Sequence, residues 1–458
     1  MLKVSSYNIY IKTLDEDDKY LFVHGYTGAV DVVSEDIYLC LLQAEENAEK
    51  LNNLSNKTVS VLQERGYLTQ RSLEEEKNLL RKVAYSIREH NRTNPVIAII
   101  PTYNCNFRCS YCYESRLKKN GKQWMEKVMS KEKVDAVFNM IEMLEKENKS
   151  VKSIILYGGE PLLKQNYDII EYIIKKCINA GIVIKCVTNG YDLEYYQELI
   201  GYGKIAFLQI TLDGLAEIHD KRRFLSGGRP TFEIIANNID WALKLGAAVN
   251  ARTNVDESNL DQLVELLELY RRKGWMDNKL FYPYFKSVQD CRESHENLVD
   301  ELYIMKRLEQ FNKDRININS SYSMLAQSFM HLFINKKYAP LRGGFCGAVN
   351  GHMVIDPYGD IYPCWAIAGN RESAAGSIDY TGNRDFYINM QQPDNKMEAY
   401  IGQCSECPYA LFCGGGCPVY TDNRRKDQGS YCSRFKSLFH EAVPEAYRNY
   451  KKICYNTH

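Results

Sequence analysis

Three cysteines stand within eight residues of one another in the segment PTYNCNFRCSYCYE, and their spacing indicates metal chemistry. Cys105, Cys109 and Cys112 are separated by three and then two residues. Three thiolates at this spacing can bind three corners of a [4Fe–4S] cube and leave the fourth iron open to a non-protein ligand. The alternative is half of a zinc site, which needs four closed ligands. No histidine or fourth cysteine lies within ten residues of the triplet, so the pattern favours the cluster.

A second group of seven cysteines lies between residues 346 and 432. It begins with Cys346, Gly359 and Cys364 in the pattern C-x12-G-x4-C, followed by a C-x2-C-x5-C-x3-C run and one last cysteine. The run and the last cysteine comprise Cys404, Cys407, Cys413, Cys417 and Cys432. The other five of the 15 cysteines are scattered, namely Cys40, Cys177, Cys186, Cys291 and Cys454. Cys177 and Cys186 lie in apolar segments, which predicts small buried side chains.

The first pattern, with the aromatic Tyr111 before its last cysteine, resembles the signature of radical S-adenosylmethionine (SAM) enzymes. The second group resembles, in every spacing, the seven-cysteine pattern of SPASM domains, which carry two auxiliary [4Fe–4S] clusters. The resemblance covers roughly residues 95–440. It implies three [4Fe–4S] clusters, one of which binds SAM, and a cofactor that performs the difficult chemistry while the protein positions it.

The resemblance also implies which residues bind SAM. The GGEP motif (Gly158, Gly159 and Glu160) would meet the SAM amino group, and Arg223 would pair with its carboxylate, because a guanidinium is a permanently charged, bidentate donor. The other implied contacts are Tyr111 at the adenine, Thr188 and Asn189 near the ribose, and Thr211 and Asp213. From the residues alone, GGEP can be an ordinary turn, Asp213 a structural turn residue and Arg223 a surface arginine in a KRR run.

In relatives the seven cysteines of the second group divide between two clusters. Cys404, Cys407, Cys413 and Cys432 would bind the outer cluster, whereas Cys346, Cys364 and Cys417 would bind the inner one and leave it one ligand short. Sulfatase maturases have a cysteine where this chain has His352 and an aspartate where it has Trp365, so both departures count against that activity. Either His352 or a distant cysteine such as Cys291 closes the inner site, or an open iron binds a substrate thiolate.

Strand–helix alternation from residue 95 predicts the elements that position these motifs. Repeated βα units imply a parallel sheet or barrel. The predicted strands are Val96–Pro101, Ser153–Tyr157, Val183–Val187, Ala206–Leu212, Ala248–Val255 and Lys279–Phe285. The cysteine triplet, GGEP, TNG and DG each follow one of the first four strands. In βα barrels the carboxyl ends of the strands form the face where active sites assemble.

The N-terminal residues predict a separate small unit. Short alternating segments indicate three strands, at Tyr7–Lys12, Lys19–His24 and Ala29–Val33. Helices are predicted at Glu35–Ala44 and Val59–Gly66 and from Ser72 to about Asn91, with Ser34 and Ser72 as N-caps. This arrangement looks like a winged helix, which in this family resembles the unit that grips a peptide's leader. A DNA-binding winged helix or an inert cap are the alternatives.

The predicted fold is therefore α/β: a partial (β/α)6 TIM-like barrel between a winged-helix-like peptide-recognition domain and a SPASM iron–sulfur domain. The predicted boundaries are 1–92 for the leader-recognition domain, 93–289 for the barrel, 290–340 for a helical bridge, 341–445 for the SPASM domain and 446–458 for a tail.

Charge and hydropathy narrow the function further. Lys+Arg and Asp+Glu are both 58, and a net charge of zero argues against a general nucleic-acid binder. The longest apolar runs are strand-sized, and the N-terminus lacks the features of a secretion signal. A soluble cytoplasmic protein without a membrane partner is expected, and disulfides are rare in that compartment.

Together these patterns predict a radical SAM enzyme that modifies a ribosomally made precursor peptide with a leader sequence. Cleavage of SAM to a 5′-deoxyadenosyl radical would lead to a cysteine thioether, as in sactipeptides and ranthipeptides. An electron donor such as flavodoxin or ferredoxin is expected. The alternatives are carbon–carbon crosslinking, epimerisation, a sulfatase-maturase-like activity, or a non-catalytic, zinc-binding winged-helix regulator.

Overall fold

A computed structural model describes residues 1–16, 18–288, 299, 301–309, 321–335, 339–380, 402–417 and 428–456. The chain divides into two compact units. One comprises residues 1–91, 321–350 and 393–458, and the other comprises residues 92–320 and 351–392. None of the described helices is both long and apolar enough to span a lipid bilayer.

A mostly parallel sheet forms the centre of the second unit. Its six neighbouring parallel strands are β6 (Ile97–Ile99), β7 (Ser153–Leu156), β8 (Val183–Thr188), β9 (Ile205–Thr211), β10 (Ala248–Val255) and β11 (Phe281–Ser287). The strands lie side by side in chain order, which is the topology of repeated right-handed βα units. All six predicted strands are confirmed, with ends that differ by at most two residues.

Helices lie between or after these strands, and the longer ones bury apolar side chains. They are α4 (Lys122–Met125), α5 (Lys131–Lys146), α6 (Tyr167–Asn179), α7 (Ala216–Arg222), α8 (Phe232–Lys244), α9 (Leu263–Arg272) and α10 (Glu301–Glu309). In α6, for example, Ile169, Ile170, Ile173, Ile174 and Cys177 are buried, which is the spacing of one helix face. Cys177 and Cys186 are almost fully buried, as their apolar surroundings predict.

Three further strands extend this sheet beyond β6. They are β12 (Met353–Ile355), β13 (Asp360–Tyr362) and β14 (Gly376–Ser377). Strand β12 pairs with β6 in parallel, and β13 and β14 add in antiparallel pairs. The sheet therefore has nine strands, and a segment of the second cysteine group, 351–380, continues it.

The first unit begins with short antiparallel strands. Strands β2 (Asn8–Lys12), β3 (Lys19–His24) and β4 (Val30–Ser34) form one sheet, and β1 (Lys3–Val4) pairs with β5 (Leu68–Thr69). Its helices are α1 (Glu35–Glu46), α2 (Asn56–Arg65), α3 (Leu73–Arg92), α11 (Ser321–Asn335), α12 (Ala410–Cys413) and α13 (Gln428–Asn456). The three predicted strands and three predicted N-terminal helices are confirmed in type, whereas the winged-helix assignment stays a prediction.

The two predicted N-caps differ in their contacts. Ser72 forms a capping box, in which the Glu75 amide donates to Ser72 Oγ at 3.3 Å and the Ser72 amide donates to Glu75 Oε2 at 2.7 Å. Ser34 also precedes a helix, but its side chain accepts no hydrogen bond from the helix backbone.

A buried polar chain links strands and helix in this unit. The Thr27 amide donates to His24 Nδ1 at 3.2 Å, so the other ring nitrogen, Nε2, carries the proton toward Ser5 Oγ at 3.1 Å. The Ser5 hydroxyl in turn donates to Glu76 Oε1 at 2.5 Å. Burial lowers the pKa of His24 to about 3, because removal from water disfavours the charged imidazolium.

This burial predicts a pH-dependent stability. The unfolded His24 binds a proton near pH 6.5 and the folded one only near pH 3, so the free energy of unfolding falls as pH drops below about 6.5. The slope from this residue approaches about 1.4 kcal/mol per pH unit. Urea unfolding of the full chain at several pH values should show this component in the wild type and lose it in H24Q. The exposed His90 supplies the control H90Q, which should follow the wild type; equal pH dependence in wild type and H24Q would contradict the prediction.

Candidate functional site

The loop after β6 carries the cysteine triplet and presents thiols as hydrogen-bond acceptors. The Phe107 amide donates to Cys105 Sγ at 3.4 Å, and the Glu114 amide donates to the Cys112 sulfur. Asn189 Nδ2 also approaches Cys105 Sγ, at 4.0 Å. Amide donors aimed at a sulfur stabilise its thiolate and adjust the properties of an iron–sulfur cluster.

The same local geometry recurs in the second cysteine group. Amides two residues ahead donate to the sulfurs of Cys346, Cys364 and Cys407, from Ala348, Ala366 and Tyr409 respectively. In five of the ten patterned cysteines, the sulfur thus accepts a hydrogen bond from the amide two residues later in the chain. The scattered Cys40 behaves differently, since its thiol donates to the Lys50 carbonyl. These five sulfurs therefore accept backbone hydrogen bonds, which is the environment expected of cluster ligands.

Burial disfavours the charged form of the triplet's thiols. It raises the pKa of Cys105 and Cys109 above normal and that of Cys112 to about 12; Cys109 also raises the pKa of the other two, whereas Arg223 lowers that of Cys109. A bound metal supplies the charge that removes such protons. Among the described residues, no three His, Cys, Asp or Glu side chains are grouped so as to hold a single metal ion. A [4Fe–4S] cube makes a different demand, because each thiolate binds its own iron.

The GGEP motif follows β7 and lies directly against the triplet loop. The Gly159 amide donates to the Thr102 carbonyl at 3.3 Å, and the Glu160 amide donates to the Asn104 carbonyl at 2.8 Å. A Cβ on Gly159 would overlap the carbonyl oxygens of Tyr103 and Asn104. Gly158 has φ +123°, a conformation that side chains rarely adopt. The two glycines thus permit the GGEP backbone to lie closer to the triplet loop than a residue with a side chain would allow.

The buried Glu160 carboxylate joins this motif to the loop after β8. It accepts hydrogen bonds from the Leu162 amide at 2.8 Å, the Thr188 hydroxyl at 2.7 Å and the Asn189 amide at 2.6 Å. Burial raises its pKa to about 7 although all three donors lower it. Asn189 Nδ2 then donates to Asn106 Oδ1 at 2.7 Å, which returns the chain of contacts to the triplet loop. Three loops are held together at one edge of the sheet.

A second polar network joins Tyr111 to the ends of β9 and β10. The Tyr111 hydroxyl donates to Asp213 and accepts from Arg223 Nη1 at 2.8 Å and Asn254 Nδ2 at 3.1 Å. The Asn254 amide donates to Asp213 Oδ1 at 2.9 Å. Asp213 is fully buried. Thr211, at the end of β9, is also buried beside this network.

Arg222 and Arg223 are both buried, but their charges are matched differently. Arg222 Nη1 pairs with Asp256 at 2.7 Å and its Nε lies 3.5 Å from Asp213. Arg223 forms no ion pair among the described residues: its Nη1 donates to Tyr111, and its buried Nε, like that of Arg222, has no hydrogen-bond partner there. Burial opposes its charge, but Cys109, Tyr111 and Asp213 raise its pKa well above normal. The surface-arginine alternative is wrong, since Arg223 is 8% exposed.

An unsatisfied guanidinium beside Cys109 fits an anionic ligand next to the cluster loop. Burying a charge without a partner is unfavourable, so a cationic side chain held this way favours a carboxylate or a thiolate nearby. The thiols of the triplet, the free donor of Arg223 and the close backbone at Gly159 together fit a [4Fe–4S] cluster with SAM at its open iron. The residue-by-residue contacts stay a prediction.

Residues of the second cysteine group are placed in both units. In the first unit, the thiols of Cys404, Cys407 and Cys432 interact electrostatically, as expected for ligands of one cluster, and Cys413 and Cys417 flank three glycines. In the second unit, Cys364 lies among the residues that follow β13, with Trp365 beside it and His352 just before β12. Cys291 lies outside the described residues.

Two polar groups near the triplet are not evident from the sequence motifs. Asn254 donates to the Tyr111 hydroxyl and so completes that network. It lies at the carboxyl end of β10, and the GGEP and DG motifs are identified from the same position relative to their own strands. The Tyr113 hydroxyl bonds Tyr157 at 2.8 Å, and the Tyr157 ring lies 4.1 Å from that of Trp365. This aromatic contact unites the loops after β6, β7 and β13, and no local pattern predicts it.

The comparisons with known proteins agree with this geometry. Residues 99–270 match the radical SAM superfamily. The chain is 22% identical over 379 residues to the cysteine-type anaerobic sulfatase-maturating enzyme of Clostridium novyi, across 78% of this chain and 96% of that protein. It is 25% identical over 330 residues to the mycofactocin maturase MftC of Mycolicibacterium smegmatis, across 69% and 76% of the two chains.

Solved structures show the same fold. The structure of anSMEcpe with bound AdoMet superimposes with a TM-score of 0.61 at 19% identity and covers 78% of this chain and 99% of its own. Streptococcus suis SuiB bound to S-adenosylmethionine covers 93% of this chain and 97% of its own, with a TM-score of 0.50 at 15% identity. The α/β fold with a mostly parallel central sheet is therefore shared with these proteins.

The close approach at Gly159 gives a direct test of the site. In G159A the new methyl group would displace the triplet loop. The reconstituted protein should then bind SAM at least about tenfold more weakly, which corresponds to a loss of about 1.4 kcal/mol of binding free energy. The control is G203A, where a Cβ would meet nothing within 4 Å and only the positive φ is unfavourable. Equilibrium dialysis of SAM against both variants measures the effect; equal affinity in G159A and wild type would show that the approach is not required.

Proposed function

The chain carries a radical SAM domain related to peptide and protein maturases, and from this premise we propose that it modifies a ribosomally made precursor peptide by forming a cysteine thioether. The observation that carries the proposal is the meeting of the triplet thiols, the GGEP backbone and the unpaired Arg223 donor at one edge of the sheet. These residues would hold one [4Fe–4S] cluster and SAM, and the second cysteine group would hold two auxiliary clusters.

Each residue near the cofactor would have a separate task. Arg223 would pair through Nε with the SAM carboxylate, while its Nη1 stays fixed on Tyr111. The Gly159 backbone would receive the SAM amino group, because no side chain stands between it and the triplet loop. Glu160 does not touch SAM in this scheme; its carboxylate fixes the Thr188 and Asn189 loop around the site.

When bound, SAM and its cluster would supply a 5′-deoxyadenosyl radical that removes a hydrogen atom from a peptide carbon. The overall reaction is balanced: SAM, a C–H bond and a cysteine thiol become methionine, 5′-deoxyadenosine, a C–S bond and a proton. The electron that cleaves SAM is returned when the C–S bond forms. An initial electron from a donor such as flavodoxin or ferredoxin would be required.

The choice of a thioether depends on the second cysteine group. Its inner set, Cys346, Cys364 and Cys417, supplies three thiols where a cube has four corners. A position without a fixed thiolate suits a reaction in which the peptide brings its own sulfur. The N-terminal unit, with its small antiparallel sheet and three helices, would recognise the leader of the precursor. The reaction would occur in the cytoplasm.

A sulfatase-maturase-like reaction is the second candidate, since relatives with that name align over nearly their whole length. Trp365 argues against it, because it stands where those enzymes carry an aspartate base and an indole cannot accept a proton. Its ring packs on Tyr157 and His352, which leaves an apolar surface at that position.

Iron analysis and SAM cleavage test the enzyme class. Anaerobically reconstituted protein should contain about 12 iron atoms per chain, and C105A/C109A/C112A should lose about four of them together with 5′-deoxyadenosine formation. The control is C177A, whose thiol lies in the apolar core and should keep both. Bound zinc without iron or labile sulfide would instead support the regulator alternative.

Mass spectrometry of the precursor tests the bond. Reaction with a cysteine-containing precursor should lower the peptide mass by two hydrogens, and one cysteine should then resist reduction and alkylation. A peptide with that cysteine changed to serine should stay unmodified but still allow SAM cleavage. If every cysteine of a modified product remains open to alkylation, the thioether assignment is wrong and carbon–carbon crosslinking or epimerisation takes its place.

A further inference from the structure

His352 is a buried histidine with one unused ring nitrogen. It is 6% exposed, one ring nitrogen interacts with the Pro363 carbonyl, and Nε2 has no hydrogen-bond partner among the described residues. Leaving a buried polar atom without a hydrogen bond is unfavourable, so such an atom in a native protein calls for an explanation, of which a bound ion is one. The bond to a backbone carbonyl through the other nitrogen is the arrangement that fixes a metal-binding imidazole in its neutral tautomer.

The hairpin of β12 and β13 carries His352 and Cys364 on its two ends. The strands pair Val354 with Tyr362 and Ile355 with Ile361 in an antiparallel ladder. His352 lies one residue before β12 and Cys364 two residues after β13, and the same register extrapolated beyond the ladder would set them opposite each other. Side chains directly opposite in an antiparallel pair project from the same face, with Cβ atoms about 4.5–5.5 Å apart. The contact of His352 with the neighbouring Trp365, at a ring separation of 4.6 Å, agrees with this placement.

The Cys364 sulfur accepts a backbone hydrogen bond, as the sulfurs of Cys105 and Cys346 do. The donor is the Ala366 amide, at 3.4 Å from Sγ, and in all three cases the amide belongs to the residue two positions later. The buried Nε2 of His352 has no hydrogen-bond partner among the described residues, and the Cys364 sulfur accepts a backbone hydrogen bond. The two features lie at the two ends of one hairpin.

We infer that His352, through Nε2, would bind iron of an auxiliary cluster together with Cys364, and that this ligand would be exchangeable. The inference rests on the proposed function, because that function supplies the cluster. Imidazole is a neutral ligand, so an incoming thiolate could replace it on iron. A thiol that has lost its proton to a buffer base would form an Fe–S bond as the Fe–N bond breaks, with no change in oxidation state.

A structural role is the competing explanation. A histidine retained only to pack against Trp365 would gain nothing from an unpaired Nε2, since a phenylalanine would fill the same space without the desolvation cost. The two explanations differ in one measurable property, which is nitrogen bound to iron.

Pulsed electron paramagnetic resonance tests the ligation without relying on turnover. The sample is the full-length C105A/C109A/C112A protein, reconstituted anaerobically and reduced, so that only auxiliary clusters give a signal. A strongly coupled ¹⁴N should be present and should become ¹⁵N after labelling with imidazole-¹⁵N histidine. H352Q and H352C should lose the coupling, and H352C should keep the iron content because a thiolate replaces the imidazole.

The control variant is H440Q, because His440 is also close to a patterned cysteine region but its Nε2 is already bonded to Tyr409 at 2.7 Å. It should retain the nitrogen coupling. If the protein that retains His352 shows no nitrogen coupling, or if H352C still shows it, His352 is not a ligand of the cluster.

Exchangeability is tested with 2-mercaptoethanol as the thiol probe. Added thiol should abolish the nitrogen coupling in the protein that retains His352 and should leave the spectrum of H352C unchanged. If the nitrogen coupling survives excess thiol, His352 is not exchangeable. SAM cleavage is measured separately on protein with an intact triplet. Failure there would remove the proposed function but would not alter the nitrogen spectrum, so the two failures are distinguishable.

Discussion

The buried carboxylate of Glu160 is the contact on which the candidate site depends. It accepts three hydrogen bonds from its own loop and the loop after β8, while its amide is bonded to the cysteine loop. The carboxylate fixes its own loop to the loop after β8, and the amide of the same residue fixes both to the cysteine loop. Burial raises the pKa of this carboxylate to about 7, and its three donors keep it satisfied away from water.

Much of this organisation could be predicted from the sequence because its signals are local. Apolar strands of four to eight residues separated by helical stretches identify βα units, and residues at carboxyl ends such as Gly159 and Asp213 then meet by topology. Cysteine spacing works in the same way, since a turn of fixed length must present Cys105 and Cys112 together. The identity of Ser72 as a helix cap also follows from its own neighbours.

What could not be predicted depends on contacts between distant segments. Strand β12 joins β6 across more than two hundred residues, and three apolar residues alone give no indication of that partner. Arg222 and Arg223 are adjacent in sequence, yet only the fold decides that Arg222 forms an ion pair with Asp256 whereas Arg223 donates to Tyr111. The pairing of β12 with β13, which brings the segments of His352 and Trp365 together, is likewise a property of the completed hairpin.

An imidazole in place of a thiolate also changes the electrostatics of a cluster. Thiolates are anionic and hold electron density on iron, so replacing one with a neutral ligand lowers the total negative charge and raises the reduction potential, as the histidine-ligated Rieske centres illustrate. A cluster of higher potential accepts an electron more readily. The proposed reaction must release an electron when a carbon radical becomes bonded to sulfur. Once the iron-bound sulfur became part of a neutral thioether and left, His352 would return to the iron, and the imidazole-ligated cluster would have the higher potential that favours holding the released electron.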